Sequence, residues 1–137
     1  MNNDLRLLKG SPSRDIFKQM HKTLHRSFYA CDIDFVLVGN RPHRPAGIIA
    51  FLDFKLPQDK VTFSEVLAYN DLLKIAPVYI IESPNPETGP FAIRRFLSGV
   101  INRYPAKPSI ALDNAEMCCD WEAFEVWERK IRNNTTR

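Results

Sequence analysis

The chain has 137 residues, 45% hydrophobic and 26% charged, with 19 Lys and Arg against 16 Asp and Glu and a formal net charge of +3. That length and balance fit one soluble domain with its own core and exclude a disordered or fibrous chain. A pI near 8.8 permits a nucleic-acid partner without requiring one. The three cysteines, Cys31, Cys118 and Cys119, offer neither a disulfide framework nor a CxxC zinc spacing, and a reducing compartment accommodates them. MNNDLRLLKG lacks the apolar core of a signal peptide, and no run approaches a membrane span. The expectation is one domain over 1–137, cytoplasmic, with no membrane partner.

In chain order, residues 1–12 are polar, end in Gly10-Ser11-Pro12 and read as a loosely held arm. Ser13 can cap a helix over 14–29, with Ile16, Met20, Leu24 and Phe28 recurring every fourth residue. His21 and His25 share one face of it, as a solvated or half-buried pair or as two metal ligands. A β-rich run covers 33–39, a basic loop with Arg41, His43 and Arg44 follows, and Ile48 to Phe54 is apolar on both faces, as a central strand is. Thr62 or Asp59 caps a helix over 62–75, whose buried side is Val66, Leu67, Tyr69, Leu72, Leu73 and Ile75. Val78 to Ile81 is a third strand, closed by Glu82-Ser83-Pro84, and a proline-rich turn extends to Pro90. Phe91 to Leu97 is read as a strand, with short edge strands at 100–104 and 109–112 separated by Pro105 and Pro108. Asp120 caps a last helix over 121–133, with Trp121, Phe124, Trp127 and Ile131 on its core stripe. The order is α-β-β-α-β-(β)-α, an α/β or α+β domain with a mixed sheet flanked by helices.

The chemistry concentrates between Asp34 and Lys55. The first apolar strand opens on Asp34 and the second closes on Asp53-Phe54-Lys55, which puts Asp53 and Lys55 on one face. Charges ending apolar strands are costly unless paired or metal-bound. Two carboxylates about 4 Å apart repel by roughly 4 kcal/mol at an effective dielectric near 20. A shared proton, a cation or a hard divalent metal such as Mg²⁺ or Mn²⁺ offsets that. With a lysine beside such a metal, phosphodiester hydrolysis is the natural chemistry, and a salt bridge at a strand end is the plainer alternative.

Asp34, then nineteen residues later Asp53-Phe54-Lys55 at the end of a hydrophobic strand, resembles the PD-(D/E)xK nuclease superfamily. Glu65-Val66-Leu67-Ala68-Tyr69 resembles the Gln-x-x-x-Tyr motif of its RecB-like and Cas4-like branch, and the Holliday-junction resolvases share the core. The resemblance covers roughly residues 14–82. It implies a restriction-endonuclease-like domain of core order α-β-β-α-β that cleaves DNA, RNA or branched DNA with Mg²⁺ or Mn²⁺. It implies that Asp34, Asp53 and the backbone carbonyl of Phe54 ligate the metal, and that Lys55 serves the attacking water. Glu65 and Tyr69 would lie near the substrate phosphate or behind the metal ligands. Asp32 competes with Asp34 for its role. The chain departs from the family in three places: no glutamate on helix 14–29, Glu65 for the usual Gln, and Ile33 for the usual Pro. An inactive family member, acting as a nucleic-acid-binding or assembly subunit, is therefore the alternative.

Arg41, Arg44, Arg94 and Arg95 are the candidate phosphate contacts, although on a strand only one of Arg94 and Arg95 can face substrate. Tyr79 and Phe91 are read as core rather than base-stacking, and Glu82 as structural. Cutting both strands of a duplex would suit a homodimer.

Overall fold

The computed structural model describes residues 13, 15, 16, 33–39, 47–103 and 106–133. The chain divides into two compact units, Met1–Cys31 and Asp32–Arg137. In the first, Ser13, Asp15 and Ile16 are helical and exposed. The expected arm, His21 and His25, and the basic loop with Arg41 and Arg44 lie outside the described residues.

The second unit is an α+β fold with a mixed six-stranded sheet. Its elements are β1 (Phe35–Gly39), β2 (Gly47–Lys55), α1 (Phe63–Leu72), β3 (Val78–Glu82), β4 (Phe91–Arg103), β5 (Ala106–Leu112), β6 (Glu116–Cys118) and α2 (Trp121–Asn133). The strand order is β1-β2-β3-β4-β5, with β6 also pairing β4. Among the described residues only β2 and β3 run parallel, joined through α1. Among the described residues no helix is long and apolar enough to cross a membrane.

Alternation along the strands splits the core in two. Phe51, Val78, Ile80 and Phe96 pack with Tyr69 of α1. Leu52, Ile81, Phe91 and Ile93 pack with Phe124 and Trp127 of α2. The β1–β2 register slips between Leu37 and Val38, so that Ile49 has no counterpart on β1. That bulge is why Ile49 joins its neighbour Ala50 in the α2-side cluster instead of pointing away from it.

Both helices start on the expected signals. Thr62 accepts from the Glu65 N–H at 3.3 Å while the Glu65 carboxylate accepts from the Thr62 N–H at 2.9 Å, a reciprocal capping box. The Asp120 carboxylate accepts from the Ala123 N–H at 2.9 Å.

Several expectations are corrected. Leu67 and Ile75, assigned to the buried side of the first of these helices, are 44% and 56% exposed, because α1 ends at Leu72 and buries chiefly Val66 and Tyr69. Trp121, assigned to the core, is 46% exposed at the first turn of α2, with its indole N–H donating to the Pro86 carbonyl at 2.7 Å. The two strands expected over 91–97 and 100–104 are one continuous strand, β4. β5 begins before Pro108, which fits its place at the edge of the sheet. β6 was not expected, since three residues are too few to show alternation.

Where α1 crosses β4, the backbones come close. A Cβ on Gly99 would lie 2.7 Å from Val66 Cγ1 and 3.0 Å from the Phe96 ring, and Asn70 Nδ2 donates to the Gly99 carbonyl at 2.8 Å. Val66 is fully buried and stiff at χ1, so it cannot yield cheaply. Gly99→Ala is expected to lower unfolding free energy by about 1–3 kcal/mol in urea titration; an unchanged midpoint would contradict this packing.

Burial pushes the Glu128 carboxyl on α2 above the usual range, with Arg132 opposing the shift and Glu125 adding to it. The folded state therefore holds this proton more tightly than the unfolded chain. Ionising Glu128 costs stability as pH rises from the ordinary carboxylate pKa of about 4.3 through the folded value. Glu128→Gln is expected to flatten the loss of thermal stability across that window, and an identical pH slope in parent and variant would contradict it.

Candidate active site

The charged end of β2 is buried. Asp53 is 3% exposed and Lys55 and Glu65 are each 9% exposed, while Tyr69 is fully enclosed. The Tyr69 hydroxyl donates to Asp53 Oδ2, and Lys55 Nζ donates to Glu65 Oε2 at 2.5 Å as a salt bridge. The spacing makes both contacts possible at once. Two residues along a strand cover about 6.6 Å, and four along a helix cover about 6 Å on one face. α1 therefore runs antiparallel to β2, with its first turn over Lys55 and its second over Asp53.

Glu65 has two tasks. One carboxylate oxygen closes the capping box on Thr62 and the other holds Lys55. The Tyr69 ring packs edge-on against Phe96, with centroids 5.2 Å apart, which fixes the hydroxyl over Asp53.

Asp34 precedes β1 and is half-buried, and its Oδ2 accepts from the Phe54 N–H at 2.7 Å. β2 continues past the last paired residue of β1, Phe35, which is matched with Leu52. The Asp34 side chain thus takes over the ladder where the β1 backbone ends, and its carboxylate is drawn to the residue beside Asp53. At Phe54 the contact runs through the backbone N–H; the expected metal contact involves its carbonyl.

The neighbouring strands extend the site. Lys55 is in register with Glu82 on β3, and Ile80 with Arg94 on β4. Arg94 Nη1 lies 3.6 Å from Glu82 Oε1, both partly exposed. Arg94 therefore shares the α1 face with Lys55. Arg95 pairs with Tyr79 and faces the other way. It lines a cleft of about 850 Å³ on the α2 side, with Tyr79 and Trp127. There burial pushes the Tyr79 phenol up, against the pull of the Arg95 guanidinium and with Glu116 adding. Tyr79 meets Trp127 edge-on and Phe91 is core, as expected.

The structure thus joins Asp53 to Tyr69, Lys55 to Glu65, Asp34 to Phe54, and Arg94 to Glu82, and it separates Arg95 from them. Sequence reasoning undervalued Glu82. Its parity with Lys55 across the parallel pair emerges only once the register is known.

Among the described residues no group of three or more His, Cys, Asp or Glu side chains could hold a metal. The carboxylates at this end of β2 are those of Asp53 and, through its bond to the Phe54 N–H, Asp34. Mg²⁺ is held through one or two carboxylates while keeping several waters. The donor set is compatible with such an ion.

Compared with protein-family models, with curated proteins and with solved structures, the chain gives no significant match.

The Lys55–Glu65 pair can be dissected by stability. Removing one partner of a buried pair strands the other, at a cost of about 3–5 kcal/mol, whereas replacing both with apolar residues is often neutral. Lys55→Met is expected to lower unfolding free energy by about 3 kcal/mol. Adding Glu65→Leu is expected to recover most of that, less about 1 kcal/mol for the capping box. Additive losses in denaturant titrations would show that the two groups do not depend on each other.

Proposed function

We propose that this protein is a metal-dependent nuclease acting on DNA, centred on Asp34, Asp53 and Lys55. One observation carries the reading: both charged residues of the Asp-x-Lys triplet are buried on the α1 face, each gripped by a side chain from α1. Lysines, aspartates and glutamates are seldom fully buried unless paired, and paired charges held inside a fold are candidates for chemistry. The observed order β1-β2-α1-β3 is in accord with the later part of the α-β-β-α-β core of restriction-endonuclease-like domains.

In this reading Asp34 and Asp53 hold Mg²⁺ or Mn²⁺, with the Phe54 carbonyl beside them. When bound, the metal supplies Lewis-acid polarisation of the scissile phosphate. Tyr69 keeps the Asp53 carboxylate oriented. Lys55 positions the attacking water, and Glu65, 2.5 Å from its Nζ, holds the ammonium in place. Arg94 supplies positive charge for the substrate phosphate on the same face.

A second reading has its own observation. Lys55 and Glu65 satisfy each other, as a purely structural pair would, which favours a nuclease-fold protein that binds nucleic acid without cutting it. A cleavage assay separates the two, using single- and double-stranded DNA with Mg²⁺ or Mn²⁺. The wild type is expected to cut only with metal, and Lys55→Ala, with an unchanged circular-dichroism spectrum, to lose at least about 100-fold in rate. Cleavage that survives the substitution would defeat the first reading. Binding without cleavage by the wild type would favour the second.

A further inference from the structure

The buried site opens to its surroundings at Lys55, which also lines a groove of about 580 Å³. The groove runs from the start of α1 across β3 to β5. Its walls are mainly apolar, with Phe63 and Ile80 on one side and Pro108 and Ile110 on the other. Its charged lining is mixed, with Lys55, Lys60 and Arg94 against Asp59 and Glu82, an excess of one cation. Phe63 is 37% exposed, and Ile110 is half-buried on an edge strand.

This combination constrains what can lie there. The volume falls in the range of small-ligand sites, about 300–1,000 Å³, room for a nucleotide or two. Apolar walls gain nothing from a sugar-phosphate backbone, and a paired, stacked base presents only its edges in the grooves of a duplex. The face of a base becomes available when the strand is single and unstacked. Cations at the margin suit the phosphates on either side of such a base.

We infer that this groove receives an unpaired base of a single DNA strand, placing the adjoining phosphate at Lys55. The inference rests on the nuclease reading for its substrate and extends it by choosing single strands or frayed ends over intact duplex. Phe63 and Ile110 hold the base, and Arg94, paired with Glu82, contacts the flanking phosphate.

The test is fluorescence anisotropy with the full chain and Ca²⁺ in place of Mg²⁺. The probes are a labelled oligothymidine and the same strand annealed to oligoadenine. The strand is expected to bind about tenfold more tightly than the duplex. Phe63→Ala and Ile110→Glu are each expected to weaken strand binding by about tenfold, while Val126→Ser, on the exposed side of α2, leaves it unchanged. Circular dichroism confirms that each variant folds. Equal or tighter binding of the duplex, or strand binding indifferent to both groove substitutions, would overturn the inference. Cleavage assays keep the two ideas apart. Absence of cleavage of either DNA, with the strand preference intact, overturns the nuclease reading alone, and preferential cleavage of intact duplex overturns the groove assignment alone.

Discussion

The rest of the fold depends on burying four polar side chains between one strand and one helix. Asp53, Lys55, Glu65 and Tyr69 are withdrawn from water at the centre of an α+β domain. An unpaired charge there would cost several kcal/mol, so pairing dictates how α1 lies. The match between two residues of strand and four of helix allows Lys55 to meet Glu65 while Asp53 meets Tyr69. A shift of α1 by one residue would strand both charges. The capping box adds a second restraint, because the glutamate that holds Lys55 also closes the start of the helix. Close approach at Gly99 and the Tyr69–Phe96 contact fix the helix against β4.

The same arrangement has two chemical faces. As structure, it is a closed set of partners that selects one placement of α1. As a site, it holds a carboxylate and a lysine on adjacent positions of one sheet face, with a second carboxylate tied to the residue between them. At Lys55 this set borders an open groove. Arg94 and its partner Glu82 line the same groove and are more exposed than the lysine.

Much of this was legible in the sequence because it rests on local patterns. The apolar run ending in Asp53-Phe54-Lys55 marks β2, Thr62 with Glu65 marks the start of α1, and Asp120 marks α2. The i, i+4 spacing of Glu65 and Tyr69 placed both on one helical face before any partner was known. What was hidden depends on register. The bond from Phe54 to Asp34 exists because β1 starts two residues too late to pair there. The division of labour between Arg94 and Arg95 follows from which residues of β3 they oppose. Trp121 looked like core because it shares a stripe with Phe124 and Trp127. Its place in the first turn leaves one side of the ring open to solvent while it meets Phe91 and Phe124 edge-on and bonds the Pro86 carbonyl. β5 forms a wall of the groove only because it folds back on the second half of β4, a pairing no local pattern announces.

The central claim is that Asp34 and Asp53 together bind a divalent cation next to Lys55. Electron paramagnetic resonance of Mn²⁺ titrated with the protein tests it most directly, since free and bound ions give distinct signals whether or not catalysis occurs. Saturable binding of Mn²⁺ by the wild type, weakened at least about tenfold in Asp53→Asn and in Asp34→Asn, is the predicted result. Mn²⁺ that stays free in the presence of the wild type, or that binds equally well to both variants, would contradict it.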